Sequence, residues 1–532
     1  MPRIECGARR TLELPIGPTR FSGIIGILLT LLSVGCSQLP SLDGRRVSTA
    51  LADTQTTRLG RSIEPLARKH PGASGVVALA DGREAFAIRA LLIEAAERSV
   101  DAQYYIWHED LSGVLLFEAL QRAADRDVRV RLLLDDNRTA GMDEQIAALD
   151  AHPGIEVRLF NPFKHRRWRV VDYVGDFSRI QRRMHNKAFI VDNQAAIVGG
   201  RNIGDAYFEA QEADVMYDLD ALAIGEVVHE ISSDFDRYWA SDFAYPADRL
   251  LDAIEPEAIS GLRAAARKLE AEPAARAYMQ ALRDEPRVHA LLSGDLALEW
   301  TSTCFVSDDP RKVVAGESVE LMLGKVIHLL GPPTHELQLV SPYVVPRKQG
   351  VEFLVDAAQR GISVQVLTNS LEATDVGAVH AGYAKWRRRL LEGGVSLFEL
   401  KRDLSNPSAE AADSGMGGSL GSSASSLHAK TFAADRSRIF IGSFNFDPRS
   451  ARLNTENGLV IDSPAMARAM SDAFESVIPT RSYEVRLDAE GDLEWIELRG
   501  DERIVHGEEP GVTLWQRLVV AMLSVLPIDW LL

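Results

Sequence analysis

The segment HNKAFIVD at residues 185–192, followed by GGRN at 199–202, returns later in the chain as HAKTFAAD at 428–435, followed by GSFN at 442–445. Counting from each histidine, both copies place lysine at +2, aspartate at +7, glycine at +14 and asparagine at +17. Five shared positions at identical spacing predict that the chain contains two copies of one structural unit.

Alternating helix and strand patterns precede each copy and extend the repeat. In the first half we predict helices at 85–98, 113–124 and 143–151 and strands at 100–107, 128–134 and 155–160. In the second half we predict helices at 316–330, 351–360 and 376–391 and strands at 336–345, 363–368 and 395–400. Equivalent strands end in Asp136-Asn137 and Asn369-Ser370. This alternation predicts an α/β fold whose sheets carry helices on both faces, in two similar α-β-α domains.

The remaining segments set the predicted domain limits. We predict a signal-like segment at 1–36, a polar tether at 37–75, a first domain at 76–250, a helical connection at 251–310, a second domain at 311–480 and a C-terminal segment at 481–532. The stretch 404–426 is rich in Ser, Gly and Ala and lies just before the second motif. Its composition is typical of a flexible loop, which is either a lid or a tolerated insertion.

Composition limits the classes of partner and cofactor. The chain has 532 residues, of which 46% are hydrophobic, and a net charge of -17. This acidic balance argues against nucleic acid as a partner. Cysteine occurs only at three positions, which excludes a disulfide framework and a cysteine metal site, so we expect no metal and no cofactor. A local basic stretch at 164–169 is either a solvated loop or a cationic rim that meets phosphate groups.

Both ends of the chain carry apolar segments. Near the start, arginines precede an apolar run at 24–32 and then Cys36, the layout of a bacterial secretory signal with a lipidated cysteine. The alternative is an uncleaved anchor, and either reading places the protein at the cell envelope with its domains outside the cytoplasm. Near the end, the segment from Leu514 to Leu523 predicts either a core helix or an interfacial helix with Trp515 and Trp530 at headgroup depth.

The repeated motif suits phosphoryl chemistry. Residues at i and i+2 of a strand point to one face, so His185 and Lys187 project together, as do His428 and Lys430. An ammonium beside a nucleophilic imidazole neutralises the charge that builds on phosphate oxygens in the transition state. Asn202 or Asn445 adds an amide donor to the same oxygens, and no metal is required.

Two copies of the motif supply both a nucleophile and a proton carrier, whereas one copy has a single histidine. One histidine attacks phosphorus to form a phosphohistidine, and the other, protonated, donates to the leaving alkoxide and later deprotonates the acceptor. Asp218 and Glu456 are carboxylates available to fix the imidazole tautomers. The sequence does not distinguish the two histidines, and we favour His185 as the nucleophile.

The paired motifs resemble the phospholipase D superfamily, whose members build one site from two such halves. Longer stretches are similar to bacterial cardiolipin synthases of the class C type, among them RRMHNKAFIVD, VGGRNIGDAYF, TNSLEATDVGAVHAGYAKWRR, FIGSFNFDPRSARLNTENG and LPIDWLL. The resemblance covers about residue 75 to the end. It implies catalytic roles for His185, Lys187, Asp192, His428, Lys430 and Asp435, with substrate-binding roles for Asn202, Asn445, Asp218 and Glu456. In this superfamily the motif aspartate acts less directly than the histidine, so we expect Asp192 and Asp435 to serve structure and hydrogen bonding.

The resemblance implies a pseudo-twofold domain pair with one shared site and a membrane-bound phosphatidyltransferase. Such an enzyme transfers a phosphatidyl group from phosphatidylethanolamine or phosphatidylglycerol to phosphatidylglycerol, giving cardiolipin. The alternatives are a phospholipase D that releases phosphatidic acid, a phosphodiesterase acting on nucleic acid, and a non-catalytic lipid-binding protein at the membrane surface. The acidic composition argues against the nucleic-acid enzyme, and the sequence does not indicate an oligomeric state.

Overall fold

Two large mixed sheets carry the two halves of the chain in the computed structural model. It describes residues 38–210, 215–254, 256–284, 286–287, 290, 295–314, 319–402 and 426–526. The predicted signal segment with Cys36, residues 404–425 of the predicted loop at 404–426, and Trp530 lie outside these described residues.

The first half contains the strands β1 (Ser74–Leu79), β2 (Ser99–Tyr104), β3 (Arg129–Asp135), β4 (Ile155–Phe160), β5 (Ala188–Val191), β6 (Ala195–Gly199), β7 (Met216–Tyr217), β8 (Asp220–Gly225), β9 (Ala244–Pro246) and β10 (Glu299–Thr301). Its helices span Arg58–Ala67, Gly82–Ala95, Leu111–Ala124, Asp143–Asp150, Arg169–Gly175, Phe177–Ile180, Asp205–Phe208, Glu226–Trp239, Pro256–Glu270 and Pro273–Asp284. The sheet has the order β10-β1-β8-β6-β5-β2-β3-β4-β9, with β7 outside it.

The second half contains the strands β11 (Thr303–Ser307), β12 (Glu336–Val340), β13 (Ser363–Asn369), β14 (Ser396–Leu400), β15 (Ser426–Leu427), β16 (Thr431–Ala434), β17 (Arg438–Gly442), β18 (Asn457–Ile461), β19 (Ser482–Leu487), β20 (Leu493–Arg499) and β21 (Glu502–His506). Its helices span Met322–Leu330, Arg347–Gln359, Gly377–Ala384, Arg387–Glu392, Pro448–Arg452, Pro464–Ser476, Ile478–Arg481 and Leu514–Val525. The sheet has the order β11-β18-β17-β16-β12-β13-β14-β19-β20-β21.

The two sheets repeat one topology. Strands β2, β3 and β4 run parallel, and so do β12, β13 and β14, whereas the motif strands β5 and β16 join these triplets antiparallel. Across the first sheet, the strands from β1 to β9 lie in the same spatial order as their counterparts from β11 to β19 across the second sheet. This confirms the prediction of two similar α/β domains.

The sheets meet face to face across the domain interface. One buried cluster unites Val198 of β6 and Ala221 of β8 with Ile441 of β17 and Leu459 of β18. Helix Glu226–Trp239 contributes Val228 and Trp239 to this same cluster. Because this apolar layer joins both halves, the domains are held as a pair and the ends of their motif strands are brought together.

The segment predicted as a free tether instead packs on the first domain. Arg129 and Arg131 of β3 donate hydrogen bonds from their Nη1 atoms to the carbonyl oxygens of Thr49 (2.7 Å) and Ser48 (3.0 Å), respectively. Thr54 is fully buried. A buried guanidinium needs acceptors, and this polar stretch supplies backbone carbonyls, which its composition alone did not indicate.

The sheets also extend past the predicted limits of the two domains. β10, inside the predicted connection at 251–310, pairs with β1, and β11 pairs with β18. The connection is helical as predicted, but Pro256–Glu270 and Pro273–Asp284 pack on helices of the first domain. β19, β20 and β21 continue the second sheet beyond residue 480. We therefore propose that the first domain ends after Thr301 and that the second begins at Thr303.

The C-terminal helix Leu514–Val525 has one buried side and one exposed apolar side. It packs against helix Gly377–Ala384, and Val520 is buried. Trp515 and Met522 are 71% and 62% exposed. In the described part of the chain, no helix has both the length and the apolar character needed to cross a membrane.

Candidate active site

The motif histidines lie at the carboxyl ends of the central parallel strands. Asp135, the last residue of β3, accepts a hydrogen bond from the backbone N–H of Met184 at 2.8 Å. Asn369, the last residue of β13, accepts one from the backbone N–H of Leu427 at 2.9 Å. Each bond therefore fixes the residue just before a motif histidine at the edge of the sheet where open α/β folds bind their ligands.

Each motif is also paired to the opposite domain through its backbone. The N–H of His185 donates to the carbonyl of Thr455 at 2.9 Å, and the N–H of Thr455 donates to the carbonyl of Arg183 at 2.9 Å. On the other side, the N–H of His428 donates to the carbonyl of Tyr217 at 2.8 Å. β7 and β15 pair in parallel just before this point. The two domains thus exchange short strand contacts around one shared centre.

These contacts bring a carboxylate from the opposite domain to each imidazole. Glu456 Oε2 lies 2.8 Å from His185 Nδ1, and Asp218 Oδ2 lies 2.5 Å from His428 Nδ1. Both carboxylates are fully or almost fully buried. The sequence predicted substrate-binding roles for them by resemblance, but here they contact the imidazoles, as their chemistry also suggested. An Nδ1–carboxylate contact sets the tautomer and leaves Nε2 for the reaction.

Glu456 sits in a network of hydroxyl donors. Ser443 donates to its Oε2, and Ser450 donates to Oε1 at 2.7 Å. Its backbone N–H donates to Asp308 at 3.1 Å. Burial raises the pKa of Glu456, whereas at Asp218 the same effect of burial is outweighed by Lys430 and His428, so the pKa of Asp218 is lowered. Asp218 is therefore the stronger acid of the two and keeps its negative charge to a lower pH than Glu456.

Burial and nearby lysines hold both imidazoles neutral. Burial is the largest cause at each, and it lowers the pKa of His185 well below its usual value, helped by Lys187 and Lys430. The pKa of His428 falls to about 4 for the same reason, with Lys430 adding to the effect. A neutral imidazole is the form that attacks phosphorus, so either histidine is chemically ready as a nucleophile in the free enzyme.

The motif lysines are buried beside the histidines, as predicted. Lys187 Nζ donates to the carbonyl of His185 at 2.6 Å, and Lys430 Nζ lies 2.8 Å from His428 Nδ1. Burial lowers the pKa of Lys187 to about 7 and that of Lys430 to about 8. An anion that enters between them restores the charge on both, which favours binding of a phosphate.

The two motif asparagines have different surroundings. Asn202 accepts a hydrogen bond from the backbone N–H of Ile106 at 3.2 Å and donates one to the hydroxyl of Tyr207 at 3.0 Å. Asn445 is buried, and its amide oxygen has no hydrogen-bond partner among the described residues. That oxygen is an acceptor, so it suits a hydroxyl or amine of a substrate headgroup, whereas Asn202 positions a tyrosine.

The motif aspartates lie at the far ends of the motif strands. Asp192 accepts hydrogen bonds from the backbone N–H groups of Arg98 and Ser99, each at 2.8 Å. Asp435 accepts them in the same way from His335 at 2.7 Å and Glu336 at 3.0 Å. Each carboxylate holds the start of a neighbouring strand, away from the imidazoles. The contacts match the structural role expected for the pair and do not match a catalytic one.

Sequence reasoning missed two tyrosines at the centre. The ring of Tyr105 meets that of His185 edge-on with centroids 5.0 Å apart, and Tyr207 meets His428 in the same way at 5.1 Å. Tyr105 follows the end of β2 directly, and Tyr207 lies in the quoted stretch GGRNIGDAYF. Their positions at strand and loop ends were visible, but their contacts depend on folding across the chain.

In the described ranges, no group of three or more His, Cys, Asp or Glu side chains is arranged to hold a metal ion. The expectation of a reaction without metal or cofactor therefore stays a prediction. It depends on the lysines and amides described above.

Comparisons with known proteins agree with this geometry. The family described as "Cardiolipin synthase, PLD-like domain" matches residues 90–239 and 326–478, more than half of the chain. The chain is 44% identical over 479 residues to cardiolipin synthase C of Escherichia coli (strain K12), covering 89% of this chain and 100% of that protein. It is 31% identical over 454 residues to an uncharacterized protein of Helicobacter pylori (strain ATCC 700392 / 26695), covering 83% and 88%.

Among solved structures, the fold is similar to that of phosphatidylserine synthase from Haemophilus influenzae Rd KW20. The TM-score is 0.51 with 16% sequence identity, over 80% of this chain and 91% of that one. At this identity the likeness concerns the fold alone. Taken with the two matched halves and the paired histidine motifs, the comparisons show that the chain belongs to the cardiolipin synthase family with phospholipase D-like domains.

Proposed function

We propose that this protein is a phosphatidyltransferase that makes cardiolipin through a phosphohistidine. The observation that carries the proposal is the pair of imidazole–carboxylate contacts, each formed between the two domains, around one centre that also holds two buried lysines. That arrangement supplies a nucleophile, a proton carrier and cationic groups for one phosphodiester. Membership of the cardiolipin synthase family supports the choice of lipid as substrate.

In the first half-reaction, His185 Nε2 attacks the phosphorus of the donor lipid. The N–P bond forms, the bond from phosphorus to the headgroup oxygen breaks, and His428 in its imidazolium form gives its proton to that oxygen. His428 is neutral in the free enzyme, so the phosphate charge must raise its pKa on binding. Lys187 and Lys430 neutralise the nonbridging oxygens as charge develops there.

In the second half-reaction, an alcohol of the acceptor lipid takes the place of the headgroup. His428 removes the hydroxyl proton, the oxygen attacks phosphorus, and the N–P bond breaks to free His185. Each proton that leaves in one half-reaction returns in the other, so the cycle ends with the starting protonation state.

The two carboxylates favour His185 as the nucleophile. Asp218 has a lowered pKa and stays anionic, which stabilises an imidazolium at His428. Glu456 has a raised pKa because it is buried, and its charge is shared with hydroxyl donors. It therefore favours the imidazolium at His185 less strongly, and a neutral His185 is the better attacking group.

The donor is phosphatidylethanolamine or phosphatidylglycerol and the acceptor is phosphatidylglycerol. The similarity to the Escherichia coli protein named cardiolipin synthase C supports this assignment. The amide oxygen of Asn445 accepts a hydrogen bond from a headgroup hydroxyl or amine, whereas Asp192 and Asp435 hold the strands next to the motifs. No role for nucleic acid is proposed, and the net charge of -17 supports that exclusion.

The protein works at a membrane, where these lipids are found. Two exposed apolar surfaces suit a bilayer: the side of helix Leu514–Val525 that carries Trp515, and the segment 168–177, where Trp168 and Val174 are 70% and 83% exposed. Tyr173 in that segment donates to Asn137, just past the end of β3, at 2.7 Å. A lipidated Cys36 would tether the chain to the cell envelope, with its catalytic domains outside the cytoplasm.

The proposal is tested with the full-length protein in vesicles of phosphatidylglycerol and phosphatidylethanolamine, with products measured by mass spectrometry. We expect cardiolipin from the wild type, none from His185→Ala or His428→Ala, and normal amounts from His328→Ala, a control at an exposed histidine. Release of phosphatidic acid without cardiolipin would instead establish a hydrolase. Binding to the vesicles with no lipid turnover would establish a non-catalytic lipid-binding protein.

A further inference from the structure

A cavity of about 670 Å³ opens in the second domain between helices Met322–Leu330 and Arg347–Gln359. Its walls are mainly apolar and include Val326, Phe353 and Phe432. The volume lies in the range of roughly 300–1,000 Å³ that is typical of pockets for small molecules and cofactors. The proposed catalytic cycle does not use this space.

The equivalent place in the first domain is closed. There, helices Gly82–Ala95 and Leu111–Ala124 precede and follow β2 just as the cavity helices precede and follow β12, but they pack directly on each other. Phe86 and Phe117 from these two helices belong to one buried cluster. Packed protein interiors leave few voids larger than a water molecule, so a cavity of this size between two helices whose counterparts pack on each other points to a ligand.

The cavity begins beside the reacting centre. Phe444 and Phe446 line it, and the residue between them is the motif asparagine Asn445. Asp447 lines it as well and interacts electrostatically with Lys430. One end of the cavity therefore lies close enough to the catalytic Lys430 for an electrostatic interaction, and the motif histidines and lysines are not part of its lining.

The chemistry of the mouth matches an amphiphile with an anionic head. Arg347, Lys348 and Arg452 contribute cationic groups to the lining. At the rim, Ile327 is 47% exposed and Phe353 is 40% exposed, so apolar surface also reaches the outside. Cationic groups around an apolar interior suit a phospholipid, whose charged head stays outside and whose chain is buried.

We propose that this cavity binds one fatty acyl chain of the phospholipid that reacts at His185 and His428. The proposal rests on the proposed function, because it assigns the rest of the substrate to the same site. Each methylene group that moves from water into an apolar site improves affinity by roughly fourfold. The cavity therefore makes the enzyme selective for chain length, which a site built only for the headgroup and phosphate would not do.

The test compares lipids and variants in the full-length protein. Ile327→Trp and Leu323→Trp each place a bulky ring in the cavity from its wall, and Val477→Trp adds the same ring at an exposed position outside it. With monodisperse lipid in detergent micelles, we expect kcat/KM for sixteen-carbon phosphatidylglycerol to fall about tenfold in the two cavity variants. For six-carbon phosphatidylglycerol we expect a change below about twofold, and none for Val477→Trp with either lipid.

A second measurement locates the chain without relying on turnover. Phosphatidylglycerol carrying a diazirine at the end of one acyl chain is photolysed with the wild type, and labelled peptides are mapped by mass spectrometry. We expect labels in 321–330, 347–359 or 444–452, and their loss in Ile327→Trp. Labels confined to other regions, or an equal loss of activity with both chain lengths, would overturn the acyl-chain site.

The two proposals fail in different ways. If the wild type makes cardiolipin but shows no dependence on chain length and no label in the cavity, the acyl-chain site is wrong and the transferase stands. If the wild type makes no cardiolipin but the diazirine lipid labels the cavity, the chain site stands and the proposed reaction is wrong.

Discussion

At the scale of single residues, Glu456 and Asp218 assign different tasks to two similar histidines. Glu456→Gln and Asp218→Asn each keep the size of the side chain but remove its charge. Because correct tautomers and proton transfer contribute factors of about 10²–10⁴ to such reactions, we expect kcat with phosphatidylethanolamine to fall by about 10²-fold or more in both variants. The measurement is initial rates of cardiolipin formation.

A donor with a nitrophenol headgroup separates the two tasks. Nitrophenolate leaves without a proton, so Asp218→Asn and His428→Ala recover phosphohistidine formation with this donor, measured as a burst of nitrophenol. Glu456→Gln stays slow and His185→Ala forms none, since the nucleophile is affected. A burst from His185→Ala and none from His428→Ala would reverse the assignment of nucleophile.

The buried lysines predict an alkaline limb in the pH profile. Lys187 and Lys430 act as cations, and burial lowers their pKa values to about 7 and about 8, so their charge is lost as the pH rises through this range. We expect kcat/KM to decline above pH about 7–8. Lys187→Arg should move the start of the decline from about pH 7 to about pH 8, where Lys430 loses its charge, because a guanidinium stays protonated.

The control for that profile is Lys69→Arg, an exchange at an exposed position that should leave the limb in place. An alkaline limb found only near 10.5, the ordinary value for a lysine, would show that the two ammonium groups are solvated in the working enzyme.

The site residues that could be predicted from the sequence are those that recur in both motifs. The histidine and lysine of each motif lie together, but they precede the motif strands β5 and β16, so the strand alternation assumed from the sequence is not what places them. The edge-on tyrosines and the serines that bond Glu456 were not predicted, since each contacts its partner only after distant segments pack. Glu456 and Asp218 were available from the sequence, but which imidazole each contacts is decided by the crossing of strands between domains.

At the scale of elements, Asp192 should matter for stability and little for chemistry. Its buried carboxylate accepts backbone N–H groups at the start of β2, and its φ of 50° lies in the left-handed region. Asp192→Ala removes these acceptors and places alanine at an unfavourable φ, so we expect a loss of about 2–4 kcal/mol in the free energy of unfolding. Asp192→Asn should lose less, since asparagine tolerates this conformation.

Urea unfolding measures that loss, and kcat of the folded fraction at low temperature measures the chemistry. We expect kcat to stay within about threefold of the wild type for Asp192→Asn. If kcat of a folded Asp192 variant fell as far as expected for Glu456→Gln, Asp192 would have a catalytic role.

Element prediction was most reliable where periodic patterns are long. Strand Ile155–Phe160 has the predicted bounds, and helix Leu111–Ala124 ends at the predicted residue. The predicted helix at 376–391 is two helices, Gly377–Ala384 and Arg387–Glu392. The stretch 38–57 shows the limit of composition, because polar residues with few apolar contacts still pack when buried arginines need their carbonyl groups.

At the scale of the whole molecule, the duplication predicted both domains but not how they share strands. The identical spacing of the two motifs predicted two similar domains. Because the reaction needs both a nucleophile and an acid, we also predicted that the two motifs share one site. The exchange of carboxylates and the cavity between two helices of the second domain depend on packing between segments far apart in the chain. Such contacts leave no local period in the sequence, so they follow from the folded structure alone.

At the same scale, exposed apolar side chains predict which face of the molecule docks on a membrane. Trp515 and Met522 on the C-terminal helix, and Trp168 and Val174 on the first domain, are exposed apolar side chains. Because burying one such side chain contributes about 1.5–3 kcal/mol, we expect Trp515→Ser with Met522→Ser to weaken binding to phosphatidylglycerol vesicles by at least tenfold. Trp168→Ser with Val174→Ser should do the same, measured by co-sedimentation of the full-length protein. Val477→Ser with Val505→Ser removes comparably exposed apolar groups elsewhere and should leave binding unchanged, so equal losses in all three pairs would contradict a defined docking face.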